Sequence, residues 1–158
     1  MSLNSSQLAT LKAAIAADGT LNAFPMNSDG DYAIAAALNL PAAPDFIVWR
    51  SALAPDLSRA AIIGGAAQLD NLTVGKRDAL LYMAGGNLDC RIAGVRSAID
   101  DLCGTQNTLK ASLIAAQKRK ATVVEKILAT GTGSDAAPAV TTFEGNISYQ
   151  AVGIARSS

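Results

Sequence analysis

The chain has 158 residues, thirteen basic and thirteen acidic, and no histidine. Zero net charge gives no bulk attraction to nucleic acid or anionic lipid, and without histidine no Ser–His or Cys–His nucleophile can be assembled within one chain. Half of the residues are apolar but only 4% are aromatic, and the alanine-rich remainder suits closely packed helices better than a β-sandwich.

Met1 to Gln7 lack a basic region followed by an apolar one, and no apolar run approaches the roughly 18 residues of a membrane span, so the expectation is an unsecreted protein without a membrane segment. Ser5 and Ser6 are placed to cap a first helix, with Leu8, Leu11 and Ile15 on one face. Asp18-Gly19 ends it, and Thr20 to Met26 is a connector. Asn27-Ser28-Asp29-Gly30-Asp31 has a calcium-loop look, but the sixth and twelfth positions hold Tyr32 and Leu38 rather than Gly and Glu. It reads as the cap of a helix from about Asp29 to Leu40, with Tyr32, Ile34, Ala35 and Leu38 as its apolar stripe. Pro41 stops that helix. Phe46 to Trp49 is a short apolar run, either a strand or a core plug, and Trp49 is expected to anchor the core.

Pro55 to Ile63 reads as a short helix with Pro at its first turn, and Ala66 to Leu69 as a further turn after Gly64-Gly65. Thr73 caps a helix from Val74 to about Ala84. Gly85-Gly86 links it to a second helix opening at Asn87 or Leu88, with Ile92, Val95, Ile99 and Leu102 in phase and Gly104 at its end: an αα-hairpin. Cys90 and Cys103 are too few for a zinc site and read as small buried hydrophobes. Asp100-Asp101 reads as solvated surface, or as a pair for a basic neighbour. The longest helix is expected last, from Thr105 or Asn107 to about Ala129, with Lys118-Arg119-Lys120 as a basic contact face on its polar side.

Gly131 to Ala139 is a small-residue linker. Its Gly-Thr-Gly precedes no helix and no Lys-Ser or Lys-Thr, so it is no phosphate loop. From Val140 to Val152 side chains alternate, with Phe143, Gly145, Ile147, Tyr149 and Ala151 on one face. Period-two alternation predicts a β-strand. No convincing second strand exists to receive its backbone groups, so the expected partner is another chain, by strand addition, with Phe143, Gly145, Ile147, Tyr149 and Val152 as the contacts. A hairpin turning at Gly145-Asn146 is the competing reading. The expected organisation is thus mainly α: a compact helical body over 1–130, a flexible linker over 131–139 and a C-terminal β arm over 140–158. Neither a metal ligand set nor a cofactor motif is present, and the chain does not read as an enzyme.

Two stretches carry a likeness. One runs Asn27-x-Asp29-Gly30-x-Tyr32-x-Ile34-Ala35 to Asn39-x-Pro41-Ala42-x-Pro44-x-Phe46-x-Val48-Trp49. The other runs Lys118-Arg119-x-Ala121-x-x-x-Glu125-Lys126 to Ala129-Thr130-Gly131-Thr132-Gly133-x-Asp135 and Thr142-Phe143-Glu144-Gly145-x-Ile147-Ser148-Tyr149-Gln150. Together they cover about half the chain and resemble small neck proteins of tailed bacteriophages, similar to head-to-tail connector adaptors. The resemblance implies a homo-oligomeric ring, usually of twelve copies, in the virion neck. That ring binds the portal protein and bridges it to the tail or the next neck ring, with packaged DNA near the lumen. A tail terminator or stopper ring is the near alternative. A small helical DNA-binding or regulatory protein using Lys110, Lys118, Arg119, Lys120 and Lys126 is the distant one.

Overall fold

Asn4, not Ser5 or Ser6, opens the first helix. Its side chain accepts from the Gln7 backbone N–H at 2.9 Å, and the Gln7 side chain accepts from the Asn4 N–H at 2.9 Å, a reciprocal capping box. The computed structural model describes residues 3–158. In chain order these form α1 (Ser5–Ala17), α2 (Gly19–Asn22), α3 (Ser28–Leu38), β1 (Ile47–Trp49), α4 (Pro55–Gly64), α5 (Ala66–Leu69), α6 (Val74–Ala84), α7 (Ala93–Cys103) and α8 (Asn107–Ala116), then β2 (Lys118–Lys120), α9 (Val123–Ile127), β3 (Ala129–Thr130), β4 (Val140–Thr141) and α10 (Tyr149–Ser157). The fold is mainly α, with two two-stranded sheets pairing β1 with β2 and β3 with β4.

The chain divides into two compact units, but not at the expected linker. The first comprises residues 1–48 and 120–158, and the second, Trp49–Arg119, is inserted between them in sequence. In the first unit, Leu11 and Ile15 of α1, Ile34 and Leu38 of α3, Val124 of α9, and Phe143, Ile147, Val152 and Ala155 share one buried core. In the second, Ala61 and Ile62 of α4, Leu80 and Ala84 of α6, Ile99 and Cys103 of α7, and Leu109 and Leu113 of α8 form another. Gly65 lies so close to α8 that a Cβ there would sit 2.5 Å from Leu109 Cα, so α4 and α8 pack at a range only glycine allows.

Three sequence expectations are overturned. The helix foreseen from Asn107 to Ala129 breaks at Gln117. Residues 118–120 are extended and pair with β1, and Thr122 restarts helix as α9 through a capping box with Glu125. Lys118, Arg119 and Lys120 therefore lie on a strand, not on a helix face. The helix foreseen from Asn87 begins only at Ala93, because Leu88 is bridged to Leu53 and Cys90 is bonded to Arg50. Leu53 and Leu88 exchange hydrogen bonds of 2.8 and 3.1 Å, and the Cys90 N–H donates to Arg50 O at 2.9 Å. Trp49 is half-buried rather than a core anchor, and Tyr32 is exposed.

The largest correction concerns 140–158. No β arm exists. β4 spans two residues and pairs antiparallel with β3, Ala129 opposite Thr141 and Thr130 opposite Val140. Gly145 then takes a φ of 108°, which ends extended structure. Ser148 caps α10 by accepting from Ala151 N–H, and α10 packs against α1 and α3. The backbone groups between β4 and α10 find partners within the chain. Ile147 N–H donates to Asn39 Oδ1 at 2.8 Å, Asn39 Nδ2 donates back to Ile147 O at 2.9 Å, and Gly145 N–H donates to Glu125 Oε1 at 2.9 Å. The supposed linker is pinned as well. Ile47 N–H donates to Gly133 O at 2.7 Å and Ala139 N–H to Ile47 O at 2.9 Å, while Gly133, at φ 66°, lies under the Phe46 ring where any Cβ would collide.

Asn39→Ala removes both hydrogen bonds that hold Ile147 and leaves its peptide groups unpartnered beside the core. We expect a loss of about 2 kcal/mol, read as a lower urea midpoint with an unchanged slope.

Candidate functional site

The residues expected to meet a partner are committed within the chain. Phe143, Ile147 and Val152 are buried in the core of the first unit. Gly145 is exposed but is used as a turn. Tyr149 is half-buried and stacks on Tyr32, ring centroids 3.8 Å apart at 21°. Of the basic triplet, Lys120 pairs with Asp45 at 2.7 Å. Burial in their own core removes Phe143, Ile147 and Val152 as docking contacts.

The polar residues of the motif stretches serve the fold in the same way. Glu125 is buried, closes the α9 cap and holds Gly145. Asp31 pairs with Arg156 at 2.7 Å, and the same guanidinium donates to Pro25 O at 3.0 Å and Phe24 O at 2.8 Å. A largely buried ion pair is tolerated when further hydrogen bonds support it; half of one is costly. These are architectural roles. The signal for the α9 cap, Thr122-x-x-Glu125, stands plainly in the sequence but is overridden there by the longer helical period.

The second unit carries the arrangement with unspent chemistry. Trp49 at the end of β1, Arg96, Ser97, Asp100 and Asp101 on α7, and Ile114 and Gln117 at the end of α8 line a cleft of about 280 Å³. The spacing 96, 97, 100, 101 places the α7 residues on one helix face. The Arg96 guanidinium lies 4.6 Å from the Trp49 ring centroid and donates to Cys90 O at 2.6 Å and Arg91 O at 2.8 Å, so its position is fixed from three sides. Asp100 pairs with Lys110, and Lys76 Nζ donates to the Asp101 backbone carbonyl at 2.7 Å. The aspartate pair is thus partly answered by basic neighbours, the second of its two sequence readings.

Gln117 is among the residues that line this cleft. Its side chain is buried, at 1% exposure, and neither Nε2 nor Oε1 has a hydrogen-bond partner. Its backbone is satisfied at both ends: the N–H donates to Leu113 O at 3.1 Å and the carbonyl accepts from Arg50 N–H at 2.9 Å. Arg50 Nε also donates to Ala116 O at 3.0 Å, which fixes the end of α8. Sequence reasoning passed over Gln117 because it lay inside an apparently continuous helix.

Both cysteines are free and buried. Burial, with a smaller push from Asp89 and opposed by Arg96 and Arg50, lifts the Cys90 thiol from 9.0 to about 11. Burial raises Cys103 too, with Asp100 adding to it. Neither is a reactive thiolate at neutral pH. Among the described residues no group of three or more His, Cys, Asp or Glu side chains could hold a metal ion, and no helix is long and apolar enough to cross a membrane. Comparison of the chain with protein-family models, with curated proteins and with solved structures finds no match in any of the three.

Two outcomes follow. Gln117→Leu, which replaces an unpartnered buried amide by an apolar group of similar size, should raise stability by about 1–2 kcal/mol in denaturant melts. For Cys90, the unfolded thiol loses its proton near pH 9.0 while the folded one keeps it to about 11. The unfolded state then binds fewer protons, and stability falls as pH rises through that window. Cys90→Ala should flatten that part of the stability–pH curve.

Proposed function

We propose that the chain is a structural subunit of a tailed-bacteriophage virion neck, an adaptor that assembles as a homo-oligomeric ring between the portal and the tail or next neck ring. Two features support the reading. The two stretches that carry the resemblance, 70 residues apart in sequence, fold largely into one unit. Val123 N–H donates to Leu40 O at 2.9 Å, Ala121 N–H to Phe46 O at 2.8 Å, and Ala42 N–H to Ala121 O at 3.0 Å. The two stretches therefore form one piece of architecture in this chain, which supports a structural reading of the resemblance.

The observation that carries the assembly role is an uncovered apolar stripe on α6. Val74, Leu81 and Tyr82 recur at steps of seven and eight, which lie on one helix face. All are exposed, Tyr82 at 87%. A shallow apolar hollow bounded by Leu81, Tyr82, Met83 and Leu88 adjoins them. Asp78, exposed on the same face, separates Val74 from the rest, so the apolar surface proper is Leu81 and Tyr82 with the adjoining hollow, and an exposed patch of this kind supports a contact with another chain. Burying each such side chain contributes about 1.5–3 kcal/mol, and closure of a ring multiplies a modest contact by avidity. The attachment formerly assigned to a terminal strand falls instead to the helical surfaces. Membership of the basic triplet in a paired strand removes the helix face on which a DNA-binding reading rested.

The test is assembly with the portal protein encoded by the same genome. The wild-type chain should co-sediment with portal rings and raise their mass by a multiple of 16.1 kDa. Tyr82→Glu combined with Leu81→Glu should abolish this while leaving the far-ultraviolet circular dichroism unchanged. A wild-type chain that stays monomeric and ignores portal would overturn the proposal, and sixfold rather than twelvefold symmetry would reassign it to a terminator.

A further inference from the structure

We propose that the cleft over Gln117 is a recognition pocket for an asparagine or glutamine side chain presented by a partner polypeptide. The inference stands on the second unit alone and does not depend on the virion reading.

The starting point is the cost of the Gln117 amide. A buried donor and acceptor, both unpartnered, are destabilising unless something completes them. They sit side by side in one plane on the carboxamide, so the complement must offer an acceptor and a donor with the same spacing. A second carboxamide does this, forming two parallel N–H···O bonds. A peptide backbone does it too, as Ile147 does for Asn39, and the Gly-Leu-Gly comparison separates that case, whereas a carboxylate or an ammonium satisfies only half of the pair.

Charge argues the same way. The side chains around the cleft balance: Asp100 and Asp101 are set against Arg96 and Lys110. Arg96 is spent on the Cys90 and Arg91 carbonyls and the Trp49 ring, and Asp100 on Lys110. A phosphate or carboxylate ligand would meet Asp101 without a free cation to hold it, and a cationic ligand would meet Arg96 at close range. A neutral, planar, hydrogen-bonding group meets neither penalty.

Size separates a side chain from a free small molecule. The cleft, about 280 Å³, falls just below the roughly 300–1,000 Å³ of pockets that enclose whole ligands. It has room for one side chain, with Trp49 and Ile114 as apolar walls for its methylenes. The Gln117 amide atoms are buried, so occupancy requires a change of side-chain rotamer that brings them to the cleft.

Trp49 is the only tryptophan in the chain and lines the cleft, so its fluorescence reports occupancy directly. The probes are end-blocked Gly-Gln-Gly and Gly-Asn-Gly, with Gly-Glu-Gly, Gly-Lys-Gly and Gly-Leu-Gly as comparisons, titrated into the full chain to millimolar concentrations. The expected result is a saturable change with the carboxamide peptides only, insensitive to salt and lost in Gln117→Leu. That variant is expected to melt higher, and its melt is recorded alongside the titration, so that a loss of response is separated from a loss of structure. Asn107→Ala, outside the cleft, should respond as the wild type does. A response to the lysine or glutamate peptide that salt suppresses would overturn the assignment in favour of a charged ligand. A response to adenosine, whose edge offers the same donor and acceptor, with none to the peptides would move the pocket to nucleobases. A Trp49 spectrum that shifts with protein concentration alone would assign the cleft to a second copy and overturn the partner. No response to any probe would leave Gln117 a buried orphan and defeat the proposal.

Discussion

Asn39, at the C-terminal end of α3, grips the backbone of Ile147 with both atoms of its amide. The rest of the first unit depends on that grip. A chain leaving β4 after two residues has exposed N–H and C=O groups, and burying its side chains requires that those groups be answered. Asn39 answers Ile147, and Glu125 answers Gly145. With these settled, Phe143 and Ile147 can enter the core, and α10 can start at once from Ser148 and pack against α1 and α3. Arg156 then reaches Asp31 and two carbonyls. Remove the side-chain answer and the same segment would need an external strand edge.

The second unit shows the opposite economy. Its core is made by helix packing close enough to require Gly65 against Leu109, and its helix ends are tied by backbone-directed arginines, Arg50 to Ala116 and Arg96 to Cys90 and Arg91. Within this well-satisfied frame Gln117 stands out as the one residue whose buried side-chain atoms lack partners among those described. The contrast is what gives it meaning. Where so many polar groups are answered, a single unanswered amide among the residues lining a cleft reads as a place kept for another molecule.

In both units the polar residues mostly build architecture, while α6 carries exposed apolar side chains and Gln117 a buried amide without partners. Ion pairs such as Arg156–Asp31 and Lys120–Asp45 serve position, and the two thiols are held protonated by burial.

The sequence by itself determined the elements whose signals are local. Thr73 as the cap of α6, Pro55 at the first turn of α4, Gly104 at the end of α7 and the burial of both cysteines were all legible, while Phe46 to Trp49 left strand and core plug both open. Caps, fixed φ angles and apolar periods act over a few residues and need no distant partner. Only the tertiary structure decided the rest. Alternation from Phe143 to Tyr149 holds whether those side chains face a partner sheet or enter a core across a turn, and Asn39, more than 100 residues away, makes the choice. Likewise the helical period from Leu109 to Leu128 runs through Gln117 unbroken, and the break there comes from pairing with β1, some 70 residues earlier. Both decisions rest on hydrogen bonds between segments far apart in the chain, and periodicity carries no record of them.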